Sequence, residues 1–274
     1  MSDPSPSSAS VVVRTEGGVA RVVLSRPGKR NAFDEQLIAE LDAAFTVLAD
    51  DRTVRVVVIE GEGKAFCAGA DLEWMRSQVT ATVDENVVSA RRMADLFDRI
   101  ARAPQAVIAK VHGAALGGGA GLVAVADIAV AADDAQIGFT EARRGILPAV
   151  ISPYVVSKIG AGHARRWFVT GSRMDAREAH RIGLVHEVAP AADLDAVVSR
   201  LAFEVLQCGP EAVAGCKDMV EAVHGAMALA STTEDGYEVL KDFTASRIAE
   251  VRVSPEGQEG LKSFLEKRKP RWAQ

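Results

Sequence analysis

Cysteine is scarce in this sequence, and the three present form no scaffold. Cys67, Cys208 and Cys216 are odd in number and include no CxxC pair. That profile excludes a disulfide framework and fits a reducing compartment, so a cytoplasmic location is expected. An excess of positive charge is also missing. Lys and Arg total 32 against 37 Asp and Glu, a net charge of −5 with a pI of about 5.6. This argues against a broad phosphate-tracking surface, and no nucleic-acid partner is expected. No long hydrophobic run occurs either. The longest uncharged stretch, between Lys110 and Asp127, contains His112 and a glycine cluster and falls short of the roughly 20 apolar residues that span a bilayer. The segment Met1 to Ser10, rich in Ser and Pro, has neither a basic n-region nor an apolar h-region and is expected to be a disordered tail. His163, His180, His186 and His224 lack a spacing such as HExxH, so no metal is expected. There is no fixed-period repeat.

What remains is an ordinary globular composition, 48% hydrophobic and 25% charged over 274 residues, enough for one or two domains. Val11–Arg14 and Val19–Leu24, separated by Glu16-Gly17-Gly18, predict a hairpin. Leu37, Ile38, Leu41, Phe45 and Leu48 recur at three and four and predict a helix over Asp34–Asp50. Val54–Ile59 and Ala106–Val111 are near-unbroken apolar runs of the type buried on both faces of a parallel sheet. With a helix over Val83–Arg102 between them, the rhythm is strand, helix, strand, and the fold class is α/β. A small-residue helix, Gly119–Val125, then leads into a strand at Asp127–Ala131. After Pro148 the texture turns mostly helical, with Val155–Ile159, Ala164–Thr170, Asp193–Leu206, Pro210–Val223, Glu234–Glu250 and a last helix from Pro255 to about Lys267. The expected division is a tail over 1–10, a core over 11–206 and a helical region over 207–274.

Three segments carry chemistry. The first is Gly63-Lys64-Ala65-Phe66-Cys67-Ala68-Gly69-Ala70-Asp71-Leu72, directly after a buried strand. Its small residues let a ligand approach the backbone, and Asp71 is placed to cap the next helix; an ordinary strand-to-helix connection is the alternative. The second is His112-Gly113-Ala114-Ala115-Leu116-Gly117-Gly118-Gly119-Ala120-Gly121, again after a strand and opening a helix. Unblocked N–H groups there suit an anionic oxygen, tight helix–sheet packing being the alternative. It lacks both the dinucleotide spacing and the Lys-Ser/Thr of a phosphate loop. The third is Glu141, in a small and apolar run before Arg143-Arg144-Gly145-Ile146-Leu147-Pro148. Burial there would raise its pKa toward an acid/base value; the alternative is a salt-bridged surface residue. Cys67 has no histidine partner placed by the sequence, which speaks against a thiolate nucleophile.

Together these segments resemble the crotonase superfamily, the enoyl-CoA hydratase/isomerase family, with the likeness running from about Val12 to Trp272. The closing segment, Glu259-Gly260-Leu261-Lys262-Ser263-Phe264-Leu265-Glu266, is similar too. The resemblance implies a spiral of ββα units with a helical C-terminal trimerisation region, and a homotrimer or dimer of trimers. It implies an acyl-CoA thioester as substrate, with no permanently bound cofactor and no membrane partner. The thioester oxygen would be held by the amides of Ala68 and Gly118, with Glu141 as acid/base. Coenzyme A and substrate would meet Lys29, Arg30, Ala32, Lys64, Ala65, Phe66, Gly69, Ala70, Asp71, Leu72, Leu116 and Gly117, with Phe243 and Lys262 reaching in from a neighbouring subunit.

The best-known hydratases of this family use two glutamates, and the position of the first is Gly121 here. Glu141 would then act alone or with another group, Tyr154 being a candidate water positioner. Cys67 to Arg76 taken with Pro148-Ala149-Val150-Ile151-Ser152-Pro153-Tyr154 is similar to bacterial methylglutaconyl-CoA and related carboxy-prenyl-CoA hydratases. That likeness implies a branched or carboxylated 2-enoyl substrate, an acyl pocket of Trp74, Met75 and Gly121, and Arg143, Arg144 or Arg76 as partner for the distal carboxylate. Two rivals stay open: an enoyl-CoA isomerase using the single glutamate as a proton shuttle, and a homologue that binds coenzyme A or RNA without catalysis.

Overall fold

The computed structural model describes residues 9–230 and 236–273. In chain order the strands are β1 (Val11–Glu16), β2 (Val19–Leu24), β3 (Val56–Gly61), β4 (Ala106–Val111), β5 (Ala114–Leu116), β6 (Ile128–Ala132), β7 (Gln136–Gly138), β8 (Arg173–Asp175) and β9 (Glu187–Ala189). The helices are α1 (Glu35–Asp50), α2 (Leu72–Thr80), α3 (Val83–Ala101), α4 (Gly118–Val125), α5 (Ser152–Thr170), α6 (Ala176–Arg181), α7 (Leu194–Leu206), α8 (Pro210–Ala230), α9 (Gly236–Val253) and α10 (Pro255–Leu265). A six-stranded sheet runs β1-β2-β3-β4-β6-β9, and a three-stranded sheet runs β5-β7-β8. The β1–β2 hairpin is antiparallel, while β2 with β3, β4 with β6 and β6 with β9 are parallel. In the second sheet β5 and β7 are parallel and β7 and β8 antiparallel.

Local chemistry accounts for these elements. Asp34 starts α1 by accepting the Leu37 N–H at 2.8 Å, and the same five residues that recur at three and four form the buried face. Thr82 and Glu85 make a reciprocal capping box at the start of α3. Val56 to Ile59 and Val107 to Ala109 are fully buried, as strands covered on both faces require. α4 is built of small apolar residues and is buried from Gly119 to Val125.

The chain divides into two compact units. The first, residues 1–103 and 107–202, contains both glycine loops and Glu141; the second, residues 104–106 and 203–274, contains α8, α9 and α10. The division therefore falls four residues before the expected one, inside α7, and the second unit reclaims residues 104–106. Residues 1–8 of the expected tail lie outside the described residues. Ser10, assigned to that tail, instead belongs to the fold, since it is buried, its N–H donates to Glu40 Oε2 at 2.7 Å and its carbonyl accepts from Ser25.

The expected helices Val155–Ile159 and Ala164–Thr170 are two parts of α5, broken at Gly160, whose φ of 72° is open to glycine. The mostly helical texture after Pro148 hides β8 and β9, three residues each, too short to show an alternation. Among the described residues no helix is long and apolar enough to cross a membrane.

Candidate active site

The first glycine loop is built into the sheet by its backbone. The Phe66 N–H donates to His112 O, the Cys67 N–H to Ala114 O and the Leu116 N–H to Cys67 O, all at 2.9–3.0 Å. The segment before α1 closes over the loop. Asn31, fully buried with a φ of 55°, donates through Nδ2 to Glu62 O (2.9 Å) and Ala65 O (2.8 Å), and its Oδ1 accepts the Arg26 N–H (2.9 Å). Phe33 donates its N–H to Gly69 O, and its carbonyl accepts the Asp71 N–H. Asp71 then caps α2 by accepting the Glu73 N–H at 2.8 Å, as the sequence leads one to expect. Backbone N–H groups lead the causes that hold its carboxyl below the ordinary value against desolvation, with Lys29 and Arg26 adding to them.

These bonds decide which amide is available. The Ala68 N–H is spent on Arg30 O at 3.0 Å, which corrects the expectation that it serves as an oxyanion donor. Two residues on, the Ala70 N–H has no acceptor among the described residues, and Ala70 is exposed on the cleft wall. The other expected donor is the Gly118 amide. Gly118 is the first residue of α4, so its N–H has no intrahelical acceptor. Gly117 turns the chain there with φ 53° and ψ −120°, a conformation glycine alone adopts readily, and its N–H is fixed to Gly138 O at 2.9 Å.

Glu141 follows β7 and opens a short 3-10 turn to Arg144. A Cβ on Gly117 would lie 3.2 Å from Glu141 Oε1, so the carboxylate stands against the residue next to the Gly118 amide. Glu141 Oε2 is buried with no hydrogen-bond partner among the described residues. Burial pushes the Glu141 carboxyl up, its own backbone N–H and Arg144 opposing. The salt-bridged surface alternative is thereby set aside, since no ion pair to Glu141 forms among the described residues.

A cleft of about 720 Å³ joins these groups. Of the expected residues, Lys29, Arg30, Ala32, Ala68, Gly69, Ala70, Asp71, Leu72, Trp74, Met75, Gly117, Gly118 and Glu141 line it. Lys64, Ala65, Phe66 and Leu116 do not. Ala65, Phe66 and Leu116 are buried in the support of the loop, and Lys64 points to solvent. Arg144 lines the cleft, its Nη1 held by Thr140 O (3.2 Å) and Oγ1 (3.0 Å). Arg143 turns away to Ser172 Oγ at 3.3 Å, and neither it nor Arg76 is on the wall. Tyr154 is off the wall too, its ring 5.9 Å from that of Phe97, which corrects its expected role as water positioner. Gly121 is closed off as well, because a Cβ there would meet Ile151 Cγ2 at 2.4 Å and Phe97 Cζ at 3.0 Å. Phe243 and Lys262 belong to the second unit, on α9 and α10. Ile146 to Ile151, part of the segments that carry the resemblance, line the cleft, and so do Gly28, Phe33, Ala90, Met93 and Thr140, to which the sequence draws no attention. Of these last five, the apolar register of Ala32-Phe33 before the Asp34 cap is a signal for Phe33.

Cys67 is fully buried behind Gly119, whose imagined Cβ would lie 2.2 Å from Cys67 O. Burial pushes its thiol up to about 12, so it is no nucleophile. His112 is held by Gly63 O at 3.0 Å from Nε2. Among the described residues no group of three or more His, Cys, Asp or Glu could hold a metal ion. The arrangement therefore offers two free backbone amides converging with one half-buried carboxylate, a geometry for stabilising an oxyanion beside a proton transfer.

Known proteins resemble this chain along nearly its whole length. A family model described as enoyl-CoA hydratase/isomerase matches residues 14–274. A Thermus thermophilus protein bearing the enoyl-CoA hydratase name is 35% identical over 94% of this chain and 98% of its own. Carnitinyl-CoA dehydratase of Proteus mirabilis is 31% identical over 97% of this chain and 98% of its own. The crystal structure of an enoyl-CoA hydratase from Shewanella pealeana superposes with a TM-score of 0.90 at 36% identity, covering 96% of each chain.

Proposed function

Because the chain belongs to the enoyl-CoA hydratase/isomerase family, of crotonase fold, we propose that it adds water to a branched or carboxylated 2-enoyl-CoA with Glu141 as the single acid/base. The observation that carries this reading is the buried, unpartnered Oε2 of Glu141 in a cleft with two unspent amides. The Ala70 and Gly118 N–H groups would hold the thioester oxygen, where charge develops as the water oxygen bonds to the β-carbon and the double-bond electrons move toward the carbonyl. Glu141 would take one proton from that water as its oxygen bonds to the β-carbon, and would deliver the proton to the α-carbon, which discharges the oxyanion. Coenzyme A enters as part of the substrate, and the chemistry requires no resident cofactor. Support for a carboxylated acyl group comes from Arg144, the guanidinium that Thr140 holds on the wall three residues after Glu141.

A panel of crotonyl-CoA, a longer 2-enoyl-CoA, 3-methylglutaconyl-CoA and a 3-enoyl-CoA tests the reading. Hydration of the carboxylated substrate, with oxygen-18 entering from labelled water, is the expected result. Arg144→Gln should raise KM for 3-methylglutaconyl-CoA about tenfold, the worth of one partly exposed charge-assisted bond, and leave crotonyl-CoA unchanged. Equal effects on both substrates would remove Arg144 from recognition of the carboxylate.

A second reading, double-bond isomerisation, is favoured by the filled space at Gly121. With Ile151 and Phe97 there, no carboxylate reaches in from α4, and a lone base moving a proton between α and γ carbons needs no water. Conversion of the 3-enoyl-CoA alone, without label, would make it the correct one.

A further inference from the structure

Helix α4 presents a free amide at one end and meets a cation at the other. Lys158, on α5, reaches the C-terminal end of α4, where its ammonium donates to Val123 O at 3.3 Å and to Ala126 O. These are carbonyls that the end of a helix leaves without intrahelical partners. Asp127 and His186 face this ammonium, and His180 in turn faces His186. Asp127 lies one residue beyond Ala126, with Oδ2 accepting the Val107 N–H at 2.7 Å. His186 follows α6, and its Nδ1 accepts the Ala129 N–H at 2.9 Å. His180 lies on α6 with Nδ1 3.1 Å from Val185 O.

We propose that Lys158 is a positioning residue for the oxyanion site, its ammonium pinning the far end of α4 and extending its field along the helix to the end that presents the Gly118 amide. This rests on the reading of the cleft as an acyl-thioester site. Eight residues at about 1.5 Å each separate the two ends by about 12 Å, through a helix buried along its length. Over about 15 Å at an effective dielectric of about 20, one unit of charge changes the stability of an oxyanion by a factor of about six. Loss of the proton removes that unit whatever the state of Asp127. Burial pushes the Lys158 ammonium down to about 8, with Asp127 opposing, and burial and then Lys158 push His186 below its ordinary value. The cation therefore disappears as pH rises through about 8, with His186 already neutral.

The test uses 4-dimethylaminocinnamoyl-CoA, a chromophoric thioester whose absorption moves to the red as its carbonyl is polarised. A Glu141→Gln background removes turnover and the nearby carboxyl titration. With Lys158 present, the red shift should shrink between pH 7 and 9.5 with a midpoint near 8. Lys158→Arg keeps its charge throughout this range and should hold the shift constant. Lys158→Met should show the smaller, high-pH shift at every pH. A band that ignores pH with Lys158 present, a Lys158→Arg band that titrates unchanged, or a Lys158→Met band equal to the parent at pH 7 would each overturn the proposal. If Lys158→Met fails to fold, the Lys158→Arg profile decides alone. A chain that binds no thioester overturns the acyl-CoA reading as well, which differs visibly from a bound probe indifferent to residue 158.

Discussion

Glu141→Gln should lower kcat by about three orders of magnitude, within the range for loss of a positioned acid/base group, and leave acyl-CoA affinity within about threefold. The replacement keeps shape and volume but cannot take up or release a proton near neutral pH. The amides of Ala70 and Gly118 are backbone groups and survive it, so binding persists while the chemical step stops. Steady-state turnover and calorimetric titration with a saturated acyl-CoA separate the two effects. A residual rate within tenfold of wild type would take Glu141 out of the chemistry. The pH profile gives a second reading. Because burial raises this carboxyl, the acid limb of kcat/KM should lie above pH 4.5, activity rising as the group ionises, and the limb should be absent in the variant.

The second large effect concerns a repair that should fail. Gly121→Glu puts a carboxylate where the best-known two-glutamate hydratases of the family have one, yet it should destabilise the chain by about 3–5 kcal/mol and give no added hydration. The Cβ alone would overlap Ile151 Cγ2 and press on Ile151 Cβ at 3.1 Å and on Phe97. Both neighbours are almost wholly buried, and overpacking of this kind costs about 1–3 kcal/mol before any charge is considered. The carboxylate would then enter an apolar site without a partner, with a further penalty. Urea unfolding should give a midpoint well below wild type, and Gly121→Glu with Ile151→Ala should recover part of the loss. Wild-type stability in Gly121→Glu would mean that the wall at Ile151 yields readily.

The sequence makes the scaffold of this site readable because its signals are long or chemical. Sixteen residues of α1 repeat their apolar spacing often enough to be recognised, and Asp71 announces the helix it caps. The three-residue strands β5, β7, β8 and β9 are shorter than any period, so the second sheet is invisible before folding. The glycine loops point to the proposed oxyanion site, but not to which amide in the first loop is left over. That choice is made by a carbonyl 38 residues earlier in the chain, Arg30 O, which occupies Ala68 and leaves Ala70. Likewise Arg143 and Arg144 are equivalent as text, and only Ser172 and Thr140 send them in opposite directions.

The thiol behind Gly119 offers an internal clock. Cys208 and Cys216 are exposed and should react at once with a maleimide at neutral pH. Cys67, sealed in and held as the unreactive thiol, can be alkylated only when the wall between the two glycine loops parts. The third equivalent of label should therefore arrive late, at a rate set by that opening. A bound acyl thioester should slow it in proportion to occupancy, so that mass spectrometry reads ligand protection at the reaction centre with no tag attached.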